Sequence, residues 1–200
     1  KKPPAVAANV LAEANTVRMH SVLLVLQGMV SFRSVPRILR LFQSQALVRD
    51  RWEPHFTSVI NWSLRIGLGL LKQVAPIDAP WMAIIDHSID IGTKKTLVVL
   101  RVPLAALARR KSAIRLEDCE CIGLVVSETV NGETVGKQLT DIFTRAGTPT
   151  AITKDSDATL NKGVRLWMEQ AQLEEPLVED IGHVMANALK AQFEHTTQYK

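Results

Sequence analysis

The chain has 200 residues, a formal charge of +4 and a composition 46% hydrophobic and 22% charged, which is that of an ordinary soluble globular protein long enough to bury a sizeable core. No apolar run approaches the ~20 residues of a membrane span and the start lacks a signal-peptide pattern, so a cytoplasmic protein is expected. The opening KKPPAVAANV carries no initiator Met and suggests a piece of something longer.

The charge is uneven. Residues 1–73 hold ten Lys/Arg against Glu13, Asp50 and Glu53, a balance of +7, whereas the remainder is mildly acidic at −3. A basic module joined to an acidic one points to nucleic-acid contact by the first part. The two cysteines, Cys119 and Cys121, cannot complete a zinc site, which takes about four ligands. They read as small core residues in a reducing compartment.

In chain order, residues 1–16 read as a flexible lead rich in Pro and Ala. Residues 17–27 show a helical apolar pattern that Gly28 breaks. In SFRSVPRILRLF, Ser31 is suited to cap a second helix. Val35, Ile38, Leu39 and Phe42 form its apolar stripe, with Arg33, Arg37 and Arg40 on another face. PHFTSVINWSLRIGLGLLKQV predicts a third helix, capped by Thr57 or Ser58 and buried along Val59, Trp62, Ile66 and Leu70. Its Asn61 and Arg65, one turn apart, have the spacing of a base-reading pair on a recognition helix. Residues 17–74 thus read as an all-α module expected to contact DNA, helix-turn-helix-like by the resemblance given below, and APIDAP (75–80) is the linker.

Past the linker the period changes. Residues 81–91 and 96–102 predict a hairpin through GTKK, and CIGLVVSE a third strand after a polar connection. A helix follows over 132–146, with Val135, Leu139, Ile142, Phe143 and Ala146 buried and Gly147 as its stop. PTAIT is a short strand, 160–170 a helix, PLVE a last strand. A final helix runs from Asp180 to about His195, with Ile181, Val184, Met185, Ala188, Leu189 and Phe193 facing inward. The order βββαβαβα over 81–200 is that of a mixed sheet covered by helices.

Three carboxylates stand at strand ends or within an apolar strand in this layout. Asp86 interrupts MAIIDHSIDI, and a carboxylate is costly to bury unless it is paired or holds a metal. Asp155 follows the fourth strand and Asp180 follows the fifth. A right-handed crossover makes the fourth strand parallel to the first, and ligands of such sheets bind at the carboxyl ends of the strands. Acids gathered there repel one another unless a cation intervenes. A pair of Mg²⁺ or Mn²⁺ ions would neutralise them and activate phosphodiester chemistry. The blander alternatives are an ion pair of Asp86 with Lys94 or Lys95, and helix-start roles for Asp155 and Asp180. Lys94 and Lys95 are equally placed to touch DNA near the first acid. His183 shares a helix face with Asp180, His87 points to the sheet face opposite Asp86, Asp90 shares Asp86's face, and Glu133 suits a helix dipole.

SFRSVPRIL, TSVINWSLRIGLGLL, IIDHSIDIGTKKTLVVLRV, ITKDSDATLNKGV and VEDIGHVMANALK, in this order and spacing, together resemble a bacterial insertion-sequence transposase. That family joins a helix-turn-helix to a DDE/DDD ribonuclease-H-like catalytic domain. The resemblance implies Asp86, Asp155 and Asp180 as first, second and third metal ligands, with Mg²⁺ or Mn²⁺ as cofactor. It also implies element ends and target DNA as partners, a dimer or higher oligomer on DNA, and association with the nucleoid. Glu179 competes with Asp180 and Asp157 with Asp155, and the spacing of the last two acids is shorter than in many relatives. The abrupt start and the end just past the third acid suggest a truncated element, inactive as it stands. Alternative readings are a catalytically inactive transposon-derived DNA-binding protein and a RuvC-type structure-specific nuclease. An actin-like ATP-binding fold is disfavoured because GTKK replaces a Gly-rich phosphate loop.

Overall fold

The computed structural model describes residues 5–44, 53–91, 94–109, 113–128, 130–155, 157–174, 176–179, 185 and 189. The chain divides into two compact units, Lys1–Lys72 and Gln73–Lys200.

The first unit contains helices α1 (Ala5–Leu26), α2 (Val35–Ser44) and α3 (Phe56–Lys72). Its core gathers Val17, Val35, Leu39 and Val59, with Leu24, Val25, Phe32 and Trp62 against it. α1 starts within the segment read as a flexible lead, because alanine, the strongest helix former, outweighs the prolines that precede it. α1 ends before Gly28, where a Cβ would stand 2.7 Å from the Leu24 carbonyl oxygen. The left-handed turn itself falls on Met29, at φ 53°.

The caps differ from expectation. Ser31 lies a turn before α2, its hydroxyl 2.8 Å from that of Ser34. Its carbonyl accepts the N–H groups of Ser34 and Val35. With α2 starting at Val35, Pro36 falls in the first turn, where an intrahelical N–H bond is not required. α3 is entered through His55, not Thr57 or Ser58. The His55 ring nitrogen Nδ1 accepts from the Thr57 N–H at 3.4 Å and lies 2.8 Å from the Thr57 hydroxyl.

The expected buried stripe of α3 is covered only in its first half. Val59 is buried, but Ile66 and Leu70 are 46% and 63% exposed. A Cβ added at Gly67 or Gly69 would meet nothing within 4 Å. Apolar periodicity marks a face able to be buried; among the described residues, only the part carrying Val59 and Trp62 has a packing partner in the core.

The second unit is α/β, with a mixed five-stranded sheet. Its strands are β1 (Trp81–Ile91), β2 (Lys94–Pro103), β3 (Glu120–Ser127), β4 (Ala151–Lys154) and β5 (Leu177–Glu179). They lie in the order β3-β2-β1-β4-β5. β2 is antiparallel to β1 and β3, while β4 is parallel to β1 and to β5. A short helix α4 (Leu104–Arg109) and a 3-10 turn (Leu116–Asp118) precede β3, and helices α5 (Gly132–Ala146) and α6 (Ala158–Ala171) flank β4 in sequence. Alternate residues of the sheet, including Ala83, Ile85, Leu97, Val99 and Ile152, form one core with Val135, Leu139, Ile142, Phe143, Leu160, Val164 and Trp167.

Two close approaches fix the helices on this face. A Cβ at Gly163 of α6 would lie 2.4 Å from Val135 Cγ1, and one at Gly123 of β3 would lie 2.4 Å from Ile142 Cδ1. α5 is capped by Asn131, whose side chain accepts from the Thr134 N–H, and ends at Gly147 with φ 88°. Arg101 of β2 is 3% exposed. It donates to Glu120 Oε2 at 2.6 and 3.0 Å, to the Ala146 carbonyl at the end of α5 at 3.2 Å and to the Ala75 carbonyl at 2.8 Å. Its guanidinium lies 5.6 Å from the Trp81 ring centroid.

The register of β1 on β2 breaks between Asp86 and Ile89: Asp86 pairs with Val98, but Ile89 pairs with Thr96 and Asp90 with Lys95. His87 and Ser88 therefore stand together against Leu97. The side chain of Asp90, read as sharing Asp86's face, lies outside the described residues.

The cysteines are half-buried and free, outside the core. Burial raises both thiols above their ordinary range. The helix expected from Asp180 lies outside the described residues except at Met185 and Leu189. Both are helical and more than half exposed, so the two do not face inward as expected. Among the described residues, no helix is long and apolar enough to cross a membrane.

Candidate functional site

The parallel pairing of β1 with β4 runs from Met82 beside Ala151 to Ile85 beside Lys154. Asp86 and Asp155 are the next residues on the two strands, so the register brings both to the carboxyl ends of neighbouring parallel strands. Ala83 and Ile85 belong to the core under α5 and α6, and alternation turns Asp86 to the other face. On that face Thr153 donates to Met82 Sδ at 3.1 Å, in phase with Asp86 and Asp155. Both aspartates are half-buried.

The β4–α6 connection separates Asp155 from Asp157. Asp157 caps α6, its Oδ1 accepting from the Leu160 N–H at 2.9 Å. Asp155 Oδ1 accepts from the Asp157 N–H at 3.1 Å. Asp157 is thus engaged in starting a helix, and Asp155 is oriented by the same turn.

His87 lies within reach of Asp157, Asp155 and Asp86 and of Lys95. Its pKa is lowered, first by burial and then by Lys95, against the raising effect of the three acids. Its Nε2 is enclosed and has no hydrogen-bond partner among the described residues, as is true of the Thr96 hydroxyl. Next to these acids, Lys154 is 3% exposed and donates from Nζ to the Asp155 carbonyl at 3.3 Å. Lys154 escapes sequence reasoning because the strand read from PTAIT stops one residue earlier. Its two-residue spacing from core Ile152 is the signal that could have found it.

Asp180 and His183 lie outside the described residues. Glu179 ends β5 in register with Lys154, and Glu133 is exposed in the first turn of α5. Among the described residues, no group of three His, Cys, Asp or Glu side chains is placed to hold a metal ion. The described part of the expected triad is the Asp86–Asp155 pair. Its all-oxygen donor set is of the kind that suits Mg²⁺ or Mn²⁺.

The basic residues divide by environment. Lys94 pairs with Glu128 at 3.0 Å, both exposed, instead of with Asp86, and Lys95 is exposed. In the helical unit Arg40 forms a two-pronged contact with Glu53, at 2.6 and 2.9 Å. That contact holds the Glu53 carboxyl below its usual range. Arg33 lies 5.4 Å from the Phe56 ring centroid. Arg37, Asn61 and Arg65 are exposed. The stripe of three arginines is therefore one ion-paired, one stacked and one turned to solvent. No protein-family model, no curated protein and no solved structure matches this chain.

Proposed function

We propose that the chain is a transposase-like DNA phosphodiester enzyme: a helix-turn-helix-like module that grips DNA, followed by a ribonuclease-H-like domain that cuts and joins it. The observation that carries this reading is the strand order β3-β2-β1-β4-β5 with β4 parallel to β1. This mixed order is compatible with a ribonuclease-H-like sheet, and its register brings Asp86 and Asp155 to neighbouring strand ends.

In this reading Asp86 and Asp155 hold Mg²⁺ or Mn²⁺, with Asp180 as third ligand. The cation supplies charge neutralisation at the phosphodiester oxygens. Asp155 is kept in place by the Asp157 N–H, so its second oxygen remains for coordination. Burial lowers the pKa of His87, which disfavours a positive charge beside the cation. Arg33, Arg37, Asn61 and Arg65 contact element ends, with phosphate contacts setting register and Asn61 and Arg65 reading bases. Lys94 and Lys95 approach the target strand, and two element ends call for a dimer or higher assembly.

The test is nicking of supercoiled DNA with Mg²⁺ or Mn²⁺. Asp86→Asn and Asp155→Asn should each reduce it at least about a hundredfold; nicking that survives both substitutions would reject the assignment. A second reading is a DNA-binding protein without cleavage activity, which would use the exposed Arg37 and Arg65 of the helical unit. It predicts DNA retardation in gels, abolished by Arg37→Ala with Arg65→Ala, and no nicking under any metal.

A further inference from the structure

Lys154 is a cation in an unusual place. A lysine is almost never fully buried unless paired, yet this one is 3% exposed. It is the last residue of β4 and lies in register between Ile85 of β1 and Glu179 of β5. Its Nζ has turned to the strand end, 3.3 Å from the carbonyl oxygen of Asp155. Asp155 and Asp86 occupy the next position along the two strands and turn to the opposite face of the sheet. A charge shut away from water acts on its neighbours with little screening.

We propose that Lys154 is a positioning residue acting through its charge. It is the built-in counter-charge of the Asp86–Asp155 pair and sets how tightly that pair takes a divalent cation. This rests on the reading of the two aspartates as a cation site. The lysine steadies the acids when no metal is bound, and its charge opposes an incoming divalent cation. The free protein therefore binds the metal weakly. Phosphate oxygens of DNA, by adding negative charge and ligands, make up the difference, so that metal is taken up firmly only with DNA in place.

The experiment is titration of the full chain with Mn²⁺, read by the loss of the free-ion electron paramagnetic resonance signal. The proteins are wild type, Lys154→Met, Lys154→Gln, Lys154→Arg and Asp86→Asn. Removal of the charge in the Met and Gln variants should tighten Mn²⁺ binding roughly tenfold, while Arg, which keeps it, should stay within about twofold of wild type. A purely structural lysine would leave affinity unchanged or weaken it, and either result in Met and Gln overturns the proposal. Should Met or Gln not fold, the other neutral variant carries the comparison, and a tenfold change in the Arg variant also overturns it. A wild type that binds no Mn²⁺, or binds it equally with Asp86→Asn, overturns the cation site itself. Wild-type binding that needs Asp86 but ignores residue 154 overturns only the role of the lysine.

Discussion

Arg101 and Glu120, neighbours across β2 and β3, share two hydrogen bonds through one carboxylate oxygen, yet their surroundings are unequal. The arginine side chain is 4% exposed and the glutamate 52%. Losing the partner of a buried charge costs more than losing the buried charge itself when an apolar chain fills the space. Glu120→Ala is therefore expected to destabilise the second unit by about 2–4 kcal/mol. Arg101→Met should cost less, about 1–3 kcal/mol, since Met fills volume and Glu120 returns to water. Urea unfolding of the two variants checks the order.

Gly163 is where α6 passes Val135 of α5. An alanine in a helix interior normally gains about 1 kcal/mol over glycine. Here its Cβ would come within 2.4 Å of Val135 Cγ1, so Gly163→Ala should instead cost about 1–3 kcal/mol. Val135→Gly removes both Cγ1 and the Cβ, which would itself stand 2.5 Å from the added atom. The double variant should lose measurably less than the two single losses together, which a double-mutant cycle by thermal unfolding would show.

Asp155 and Asp157 lie two residues apart and do different things. Asp157→Ala should lose about 1 kcal/mol by uncapping α6, while Asp157→Asn, a good cap, should stay within about 0.5 kcal/mol of wild type. In the proposed site, Asp157→Asn retains Mn²⁺ binding and Asp155→Asn does not. Calorimetric Mn²⁺ titration of both Asn variants decides which acid belongs to the metal.

His87 gives stability a pH dependence of definite sign. Burial lowers its folded pKa below the ordinary 6.5, so the unfolded chain binds the proton more readily. Its contribution is complete above about 6.5 and is lost as pH falls from there through the lowered folded value. Replacing His87 with Gln should flatten the change in unfolding midpoint between about pH 7 and 5 relative to wild type. An unchanged slope would mean that the imidazole does not contribute.

Much of the second unit was legible in the chain. Three strands in succession followed by alternating helix and strand specify a mixed sheet, and the 3.6-residue spacing of Val135, Leu139, Ile142, Phe143 and Ala146 predicts a stripe that is buried in full. Asp86 and Asp155 could be picked out because a carboxylate interrupts an apolar run and another ends one. What periodicity cannot carry is context. Ile66 and Leu70 have the pattern of buried residues, but among the described residues no core of the helical unit encloses them. Lys154 looks like a loop lysine until the register shows that β4 is one residue longer. Arg101 reads as a strand-end charge, and only the fold brings Ala75, Glu120 and Ala146 around it. The cap at His55 needs a ring nitrogen where simple propensity favours Thr or Ser.

The break in pairing after Asp86 makes the β1–β2 hairpin a lever with a compliant joint. A bulge lets a strand bend and twist locally, so a pull on the lysine-bearing tip at Lys94 and Lys95 would be absorbed around His87 and Ser88 before reaching Asp86. The carboxylate at the base of the hairpin keeps its place beside β4, where the pairing with β1 is unbroken from Met82 to Ile85.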